Sequence, residues 1–530
     1  MHPECLPFTS IPHSTRLFTD FLYHFPNVQS FYARPPALLD WASDEQQRIR
    51  YPQHRREQVA AVLERQNREL GAGAKTLENI QRLRQGAPAI VTGQQVALFG
   101  GPAFSLLKAL TVIIMAERSG AVPIFWLATE DHDFAEINFV HVPAGDHLQT
   151  LSVTPLHEEG APAGRINFDD GISGALKRAE DLLGNSALLE ALQNSYRSGE
   201  NFGNAFGKFY SQVFAEYGLV FLNPIDPELH RIAQPVFRGA LLNWKQINDA
   251  LLRREQELES AGYHAQVKVT ASHTLCFYLQ DGIRTPIRHD GANQFVIGER
   301  TVTQDELIAE AEKYPERFNA NVLLRPIYQD YLLPTLAYTG GPAEIAYFAQ
   351  VQVVYRELLG RVTPVVPRIS ATLVEPRQAK LLDRYQLKLT DIFVRGPEKL
   401  REFVAGKALP ESIMKSFDVA AEHLEQALTA IHGPLEKLDQ TLLDAAENTG
   451  AKIRYQLQSL RDKAARAESR KNTETQRHAD ELSTLLYPNK ELQEREIGAA
   501  YFLLKYGPEL LPKLKEKLQI GCVDHQIVPL

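Results

Sequence analysis

Only three cysteines occur in 530 residues, Cys5, Cys276 and Cys522, and they are far apart and odd in number. There is no Cys-x-x-Cys pair and no thiolate set at zinc-site spacing, so neither a disulfide framework nor a cysteine-based metal site is expected. No apolar run approaches the ~20 residues that a bilayer-crossing helix needs. Residues Met1 to Asp20 lack a basic start followed by an apolar core, so no signal peptide is expected. Basic residues are not in excess: 57 Lys and Arg against 65 Asp and Glu leave a net charge of −8, which gives no field for nucleic acid. Both GxGxxG and GxxxxGK[ST] are absent, which excludes a dinucleotide fingerprint and a Walker A loop. The chain reads as a cytoplasmic protein, long enough for two or three domains and with 44% apolar residues to build their cores.

Against these absences one feature recurs. Gly-Gly-Pro-Ala stands at 100–103 and again at 340–343, each time between a strand-like run and a long apolar helix. Glycine permits a sharp turn and close approach of a ligand, and proline suits the first helical position. Helix starts of this kind offer free N–H groups and partial positive charge to a phosphate or carboxylate. Two of them in one α/β sheet would face one crevice.

The pattern around them predicts a doubly wound parallel sheet. A strand at 88–92, a helix at 102–118 and a strand from Val122 to Ala128 form a right-handed parallel crossover. Further strands are expected at Leu219 to Leu222, about 334–338 and Thr363 to Pro367. Two stretches break the alternation and read as insertions: 140–175, rich in Pro, Gly and His, and 263–303, with strand-like Thr274 to Leu279 and Gln294 to Ile297. The segments divide as core 1–139, first insertion 140–200, core 201–260, second insertion 261–320 and core 321–395. A coiled-coil hairpin at 396–488 and a tail at 489–530 that packs back on the core complete the chain.

Leu424, Leu428, Ile431, Leu435, Leu438 and Leu442 recur at alternating spacings of four and three, an a/d seam. Gly433-Pro434 should not sit inside a helix, so a hairpin turn is expected within 432–441, with Asp439 capping the second helix. Residues 471–480 are polar throughout and read as solvated. The seam predicts a homodimer.

The candidate chemistry lies at strand ends. Thr92-Gly93-Gln94-Gln95 follows the first strand, and Lys108 sits two turns into the next helix, where it would neutralise an anion. Glu130-Asp131-His132-Asp133 follows the second strand. Alternate members of that cluster converge to bind an ammonium, hold Mg²⁺ or move a proton. Asp131, His132 and Asp133 are the catalytic candidates; Thr92, Gly93, Gln94, Gly101, Lys108, Glu130, Gly341, Glu344, Tyr347, Arg368 and Ser370 are the binding candidates. Arg368 with Ser370 and Thr372 would clamp an oxyanion. No resident metal site is assigned.

The same residues, in order, resemble the bacillithiol biosynthesis cysteine-adding enzyme family of cysteine ligases. The resemblance runs through Val91-Thr92-Gly93-Gln94-Gln95, Glu130-Asp131-His132-Asp133-Phe134 and Leu324-Arg325-Pro326. It continues through Gly341-Pro342 with Glu344-Ile345-Ala346-Tyr347, Pro367-Arg368, Leu486-Tyr487-Pro488 and Gln493-Glu494-Arg495. It implies a Rossmann-like core with two connecting-peptide insertions, a coiled coil that makes a homodimer, and the joining of cysteine to glucosaminyl-malate. It also implies similarity to class I aminoacyl-tRNA synthetases, which activate their amino acid with ATP. The histidine and lysine signatures of those enzymes are absent here, so ATP and Mg²⁺ stay open as cofactors. A nucleotide-binding or nucleotidyl-transfer enzyme with another acceptor, and a non-enzymatic coiled-coil scaffold, are the competing readings.

Overall fold

The computed structural model describes residues 4–184, 186–291, 294–407, 409, 411–471 and 473–530. Residues 1–142, 149–372 and 494–528 form one compact unit, and residues 143–148, 373–493 and 529–530 a second.

The first unit is built on a five-stranded parallel sheet. Its strands are β1 (Ala89–Gln94), β2 (Val122–Leu127), β3 (Val220–Leu222), β4 (Thr335–Gly340) and β5 (Val365–Pro367), in the order β5-β4-β1-β2-β3. Ile90, Val91, Ile124 and Phe125 are fully buried, as a sheet covered on both faces requires. Helix α1 (Ala103–Ser119) joins β1 to β2, and α2 (Pro342–Leu358) joins β4 to β5. Leu106, Leu107, Leu110, Val112 and Ile113 of α1 are all inaccessible, so this helix is hydrophobic nearly all round, as a core helix should be. All five expected strands are present. The second insertion forms an antiparallel sheet from His273–Gln280, Ile283–His289, Gln294–Ile297, Arg300–Thr303 and Phe318–Ala320.

The two crossovers run in opposite directions, β1 to β2 on one side and β4 to β5 on the other. Right-handed connections therefore leave α1 and α2 on opposite faces, with a switch point between β1 and β4, the place where open α/β sheets bind ligands.

Three expectations are corrected. Cys5 and Cys522 are bonded to each other. The strand Glu4–Leu6 pairs antiparallel with residues 525–527, which brings together sulfurs that a separation of 517 residues hides in the sequence. Cys276 remains a buried free thiol, and burial pushes its ionisation up to about 12. In the second unit, α3 (Glu411–Leu438) runs straight through Gly433-Pro434. The helix carries the lost N–H bond and the crowding of the carbonyl four residues back, and it ends four residues later at Leu438. Finally, Thr475 and His478 are buried rather than solvated: the Tyr385 hydroxyl meets His478 Nδ1 at 2.8 Å.

The hairpin turns between α3 and α4 (Thr441–Lys471), where the Asp439 carboxylate accepts the Thr441 backbone N–H at 2.9 Å. The arms run antiparallel, with Arg454 on Glu425 and Arg461 on Asp418.

The first Gly-Gly-Pro-Ala turn is fixed by packing. Gly100 has φ +83°, its N–H donates to Tyr196 and its carbonyl accepts from Tyr210. A Cβ there would stand 2.7 Å from the Tyr210 ring. Gly100→Ala should therefore cost about 2–4 kcal/mol, because it combines a left-handed backbone with overpacking. Urea denaturation would show this as a lower midpoint at unchanged slope.

Candidate functional site

At the switch point lies a cavity of about 580 Å³, within the range of small-molecule sites. It is lined by the β1 end (Gly93, Gln94, Gln95), Phe104 and Lys108 of α1, and Glu130 and Asp131 beyond β2. The opposite wall is Arg325, Tyr338, the Gly341–Glu344 turn and Tyr347; Arg284 and Phe277 come from the second insertion. Arg368 and Arg495 close one side.

Lys108 sits at the centre, 3% exposed. Its ammonium donates to Gly93 O at 2.7 Å and Gln94 Oε1 at 3.0 Å, and it pairs with Glu344 Oε2 at 2.7 Å. An ammonium has three protons, and all are spent. Burial lowers its proton affinity against the pull of Glu344, with Arg368 and Arg325 adding to the lowering. Lys108 is thus a strut between the ends of β1 and α2, not the anion ligand expected of it.

Glu344 also caps its own helix, accepting the Gly341 N–H at 2.8 Å and the Tyr338 hydroxyl. Burial alone would raise its carboxyl, but Lys108 and these donors bring it below the ordinary value. The other helix start is covered too: Ala103 N–H donates to Ile497 O at 2.8 Å. Gly341 and Pro342 line the cavity and Gly100–Pro102 do not, so the expected pair of helix starts facing one crevice is corrected: only the second borders it.

The donors left for an anion are guanidinium groups. Arg325 donates from Nη1 to Gln329 at 3.0 Å and from Nη2 to Tyr347 at 2.9 Å, over the Tyr338 ring. Its Nε and one N–H on each terminal nitrogen make no hydrogen bond among the described residues. Burial would discourage its charge, yet Tyr347, Tyr338 and Glu344 raise its proton affinity overall. Arg368 donates to Glu494 at 2.7 Å and Ile369 O at 2.9 Å, and its buried Nε has no hydrogen-bond partner among the described residues.

The acidic end differs from the expected convergence. Glu130 is buried and accepts from Asn319 at 2.6 Å. Asp131 accepts from Gln95 at 2.8 Å and from the His132 N–H. His132 and Asp133 do not line the cavity; they face a neighbouring cleft with Glu136, Glu159 and Gly160. Arg284 donates to His132 Nδ1 at 3.2 Å, which places the ring proton on Nε2. Burial and then Arg284 lower that imidazole's proton affinity against Asp131 and Asp133, so it stays neutral at pH 7. Thr92 is buried, its hydroxyl on Thr339 O at 3.0 Å. Gly101 likewise lies away from the cavity.

Ser370 is structural rather than a ligand. Its hydroxyl donates to Glu494 Oε1 at 2.8 Å and receives His525 Nδ1–H at 2.8 Å, while Thr372 donates to His525 Nε2. That direction requires a neutral imidazole, and burial pushes His525 down to about 4.

The sequence reading missed Arg284 and Phe277, stacked at 4.1 Å, because nothing local ties an insertion hairpin to a distant strand edge. Arg325 carried a signal: a charged residue between Leu324 and Pro326, at the head of a largely buried helix.

The His525 network fixes a pH response. Its proton is bound more weakly in the folded state, so the unfolded chain takes it up first as pH falls below about 6.5. Stability should drop between there and about 4, by about 2 kcal/mol from pH 7 to pH 5. Glu494, held below the ordinary carboxyl value because Arg368 and hydrogen bonds outweigh burial, acts in the same direction. Urea midpoints at pH 7 and 5 measure the slope, which His525→Gln should flatten.

Comparison with known proteins matches both parts of the chain. Residues 1–369 match the N-terminal Rossmann-like domain of bacillithiol biosynthesis BshC, and residues 371–530 its C-terminal coiled-coil domain. Relatives named "Putative cysteine ligase BshC" include that of Koribacter versatilis (strain Ellin345), 46% identical over the full length of both chains. Those of Solibacter usitatus (strain Ellin6076), full length, and Salinibacter ruber (strain DSM 13855 / M31), covering 97% of this chain and 96% of the relative, are each 34% identical. With a parallel Rossmann-like core, a helical hairpin unit and matches of this extent, the chain belongs to the BshC family of bacillithiol biosynthesis.

Proposed function

We propose that the protein forms the amide bond between the carboxyl group of cysteine and the amine of glucosaminyl-malate, the last step of bacillithiol biosynthesis. The observation that carries this is the presence in one cavity of guanidinium groups with N–H groups unpaired among the described residues, Arg325 and Arg368, and of the carboxylates Glu130 and Asp131, which Arg284 accompanies. A substrate with a carboxylate-bearing malate and an ammonium-bearing sugar matches those groups. The guanidinium groups fix the malate, and the carboxylates receive the amine and draw off the proton that blocks its lone pair.

The direct test incubates the purified protein with cysteine and glucosaminyl-malate, with and without ATP and Mg²⁺, and follows the thiol product by mass spectrometry. Product formation supports the reading. ATP consumption without a cysteinyl product would favour nucleotidyl transfer to another acceptor. Arg325→Met should raise KM for the malate substrate by about 10- to 100-fold, the range of a lost charge-assisted hydrogen bond, with KM for cysteine unchanged in steady-state kinetics.

We infer further that the hairpin pairs two chains. Ile413, Val419, Ile431, Ile453, Tyr455 and Leu460 stay more than 40% exposed along it, and apolar stripes of this kind mark interaction sites. Leu428 is already turned onto Gly450 of the opposite arm, so exposed positions make the sharper test. Ile453→Lys with Leu460→Lys should convert a light-scattering mass of two chains into that of one at micromolar concentration.

A further inference from the structure

Behind Glu130 lies a buried histidine that no sequence pattern singled out. His230, on the short helix Pro227–Ile232, is 1% exposed. Its ring stacks on Phe237, 5.6 Å between centroids and 7° from parallel, and packs against Tyr328. Nδ1 is 3.2 Å from the Pro315 carbonyl oxygen, which can only accept, so Nδ1 carries a proton. Nε2 is 3.2 Å from Glu130 Oε1, a close approach without hydrogen-bond geometry, and has no hydrogen-bond partner among the described residues. Both ring nitrogens therefore face oxygen atoms.

Glu130 is consequently backed on one side. Oε1 accepts from the Asn319 amide and lies against the His230 ring nitrogen, while Oε2 makes no hydrogen bond among the described residues and Glu130 lines the cavity. A buried carboxylate is costly unless paired, and Arg284 and His230 are the cationic or protonatable groups that face it. Asp131, by contrast, is tied to Gln95 and its own loop.

We propose that His230 is the positioning residue for Glu130, and that Glu130 Oε2 accepts the proton of the substrate ammonium; this rests on the amide-forming reading above. In the step, an N–H bond of R–NH₃⁺ breaks, an Oε2–H bond forms, and nitrogen keeps the electron pair, which leaves the amine neutral and nucleophilic. His230 touches no substrate. It sets which oxygen points inward and prevents Glu130 from turning back to satisfy itself.

The test compares wild type, Glu130→Gln, His230→Phe, His230→Gln and the double variant Glu130→Gln/His230→Phe in the cysteinyl-amide assay. Phenylalanine keeps the stack on Phe237 and removes both nitrogens; glutamine can restore a donor to Oε1. Glu130→Gln should lower kcat by about 100-fold or more, the usual scale of a lost general base, with KM for cysteine within about twofold. His230→Phe should lower kcat similarly, His230→Gln should recover a substantial part, and the double variant should be no worse than Glu130→Gln alone. A His230→Phe protein with wild-type kcat, or additive losses in the double variant, would overturn the inference while the ligase reading stands. A wild-type protein that makes no amide removes the reading and this inference with it. Should His230→Phe fail to fold, the kcat of His230→Gln relative to Glu130→Gln decides: a glutamine variant as slow as Glu130→Gln, without rescue, counts against positioning.

Discussion

The Lys108–Glu344 contact is the tie on which the rest of the site depends. It crosses the switch point of the sheet, joining a helix on one face to the first turn of a helix on the other. Each partner would be costly alone: Lys108 is buried with every proton committed, and Glu344 carries the helix cap and the Tyr338 hydroxyl besides the lysine. Buried pairs of this kind add modestly to net stability, but removing one member leaves the other uncompensated, at about 3–5 kcal/mol. The pair therefore works as a registration device. It fixes the distance between the β1 loop and the Gly341 turn, which together set the width of the cavity.

A Rossmann-like edge ordinarily offers backbone N–H groups to phosphate; here the Gly341 N–H is taken by Glu344 and the Ala103 N–H by Ile497. On the proposed reading, recognition rests on side chains with fixed geometry. Arg325 is fixed by Gln329 and Tyr347, Arg368 by Glu494, and Glu130 by Asn319 and His230. Each functional group spends part of its hydrogen-bonding capacity on the protein and keeps the remainder for the cavity, the arrangement that preorganised sites require.

What could be read from the sequence follows the range of the interactions. The parallel strands were legible because a sheet buried on both faces writes itself as continuous apolar runs such as Ala89-Ile90-Val91 and Ile124-Phe125-Trp126. The hairpin was legible from its leucine spacing, and Asp439 from its capping chemistry. Gly-Gly-Pro-Ala identified two helix starts but not their occupancy, because Ile497 lies almost 400 residues from Ala103. Lys108 read as a ligand for the same reason: its counter-charge, Glu344, belongs to another crossover. Cys5 with Cys522, Ser370 with His525, and Glu130 with His230 are all pairs without a local signature. Residue type and strand-end position located the cavity; only tertiary partners decided which groups in it were spent.

Several of those partners come from the end of the chain. Glu494 orients Arg368 and also accepts Ser370 Oγ and the Ala371 N–H, and His525 closes the same network through Ser370 and Thr372. Residues 494–528 belong to the first compact unit although residues 373–493 build the second. The Rossmann-like core is thus incomplete until the polypeptide has left it, formed the helical hairpin and returned. Contacts of such sequence separation form late, because loop closure must precede their reward. Arg368 cannot be aimed, nor can its charge be compensated, before the tail arrives. The orientation of Arg368 by Glu494 therefore requires that the intervening residues 373–493 have already been synthesised.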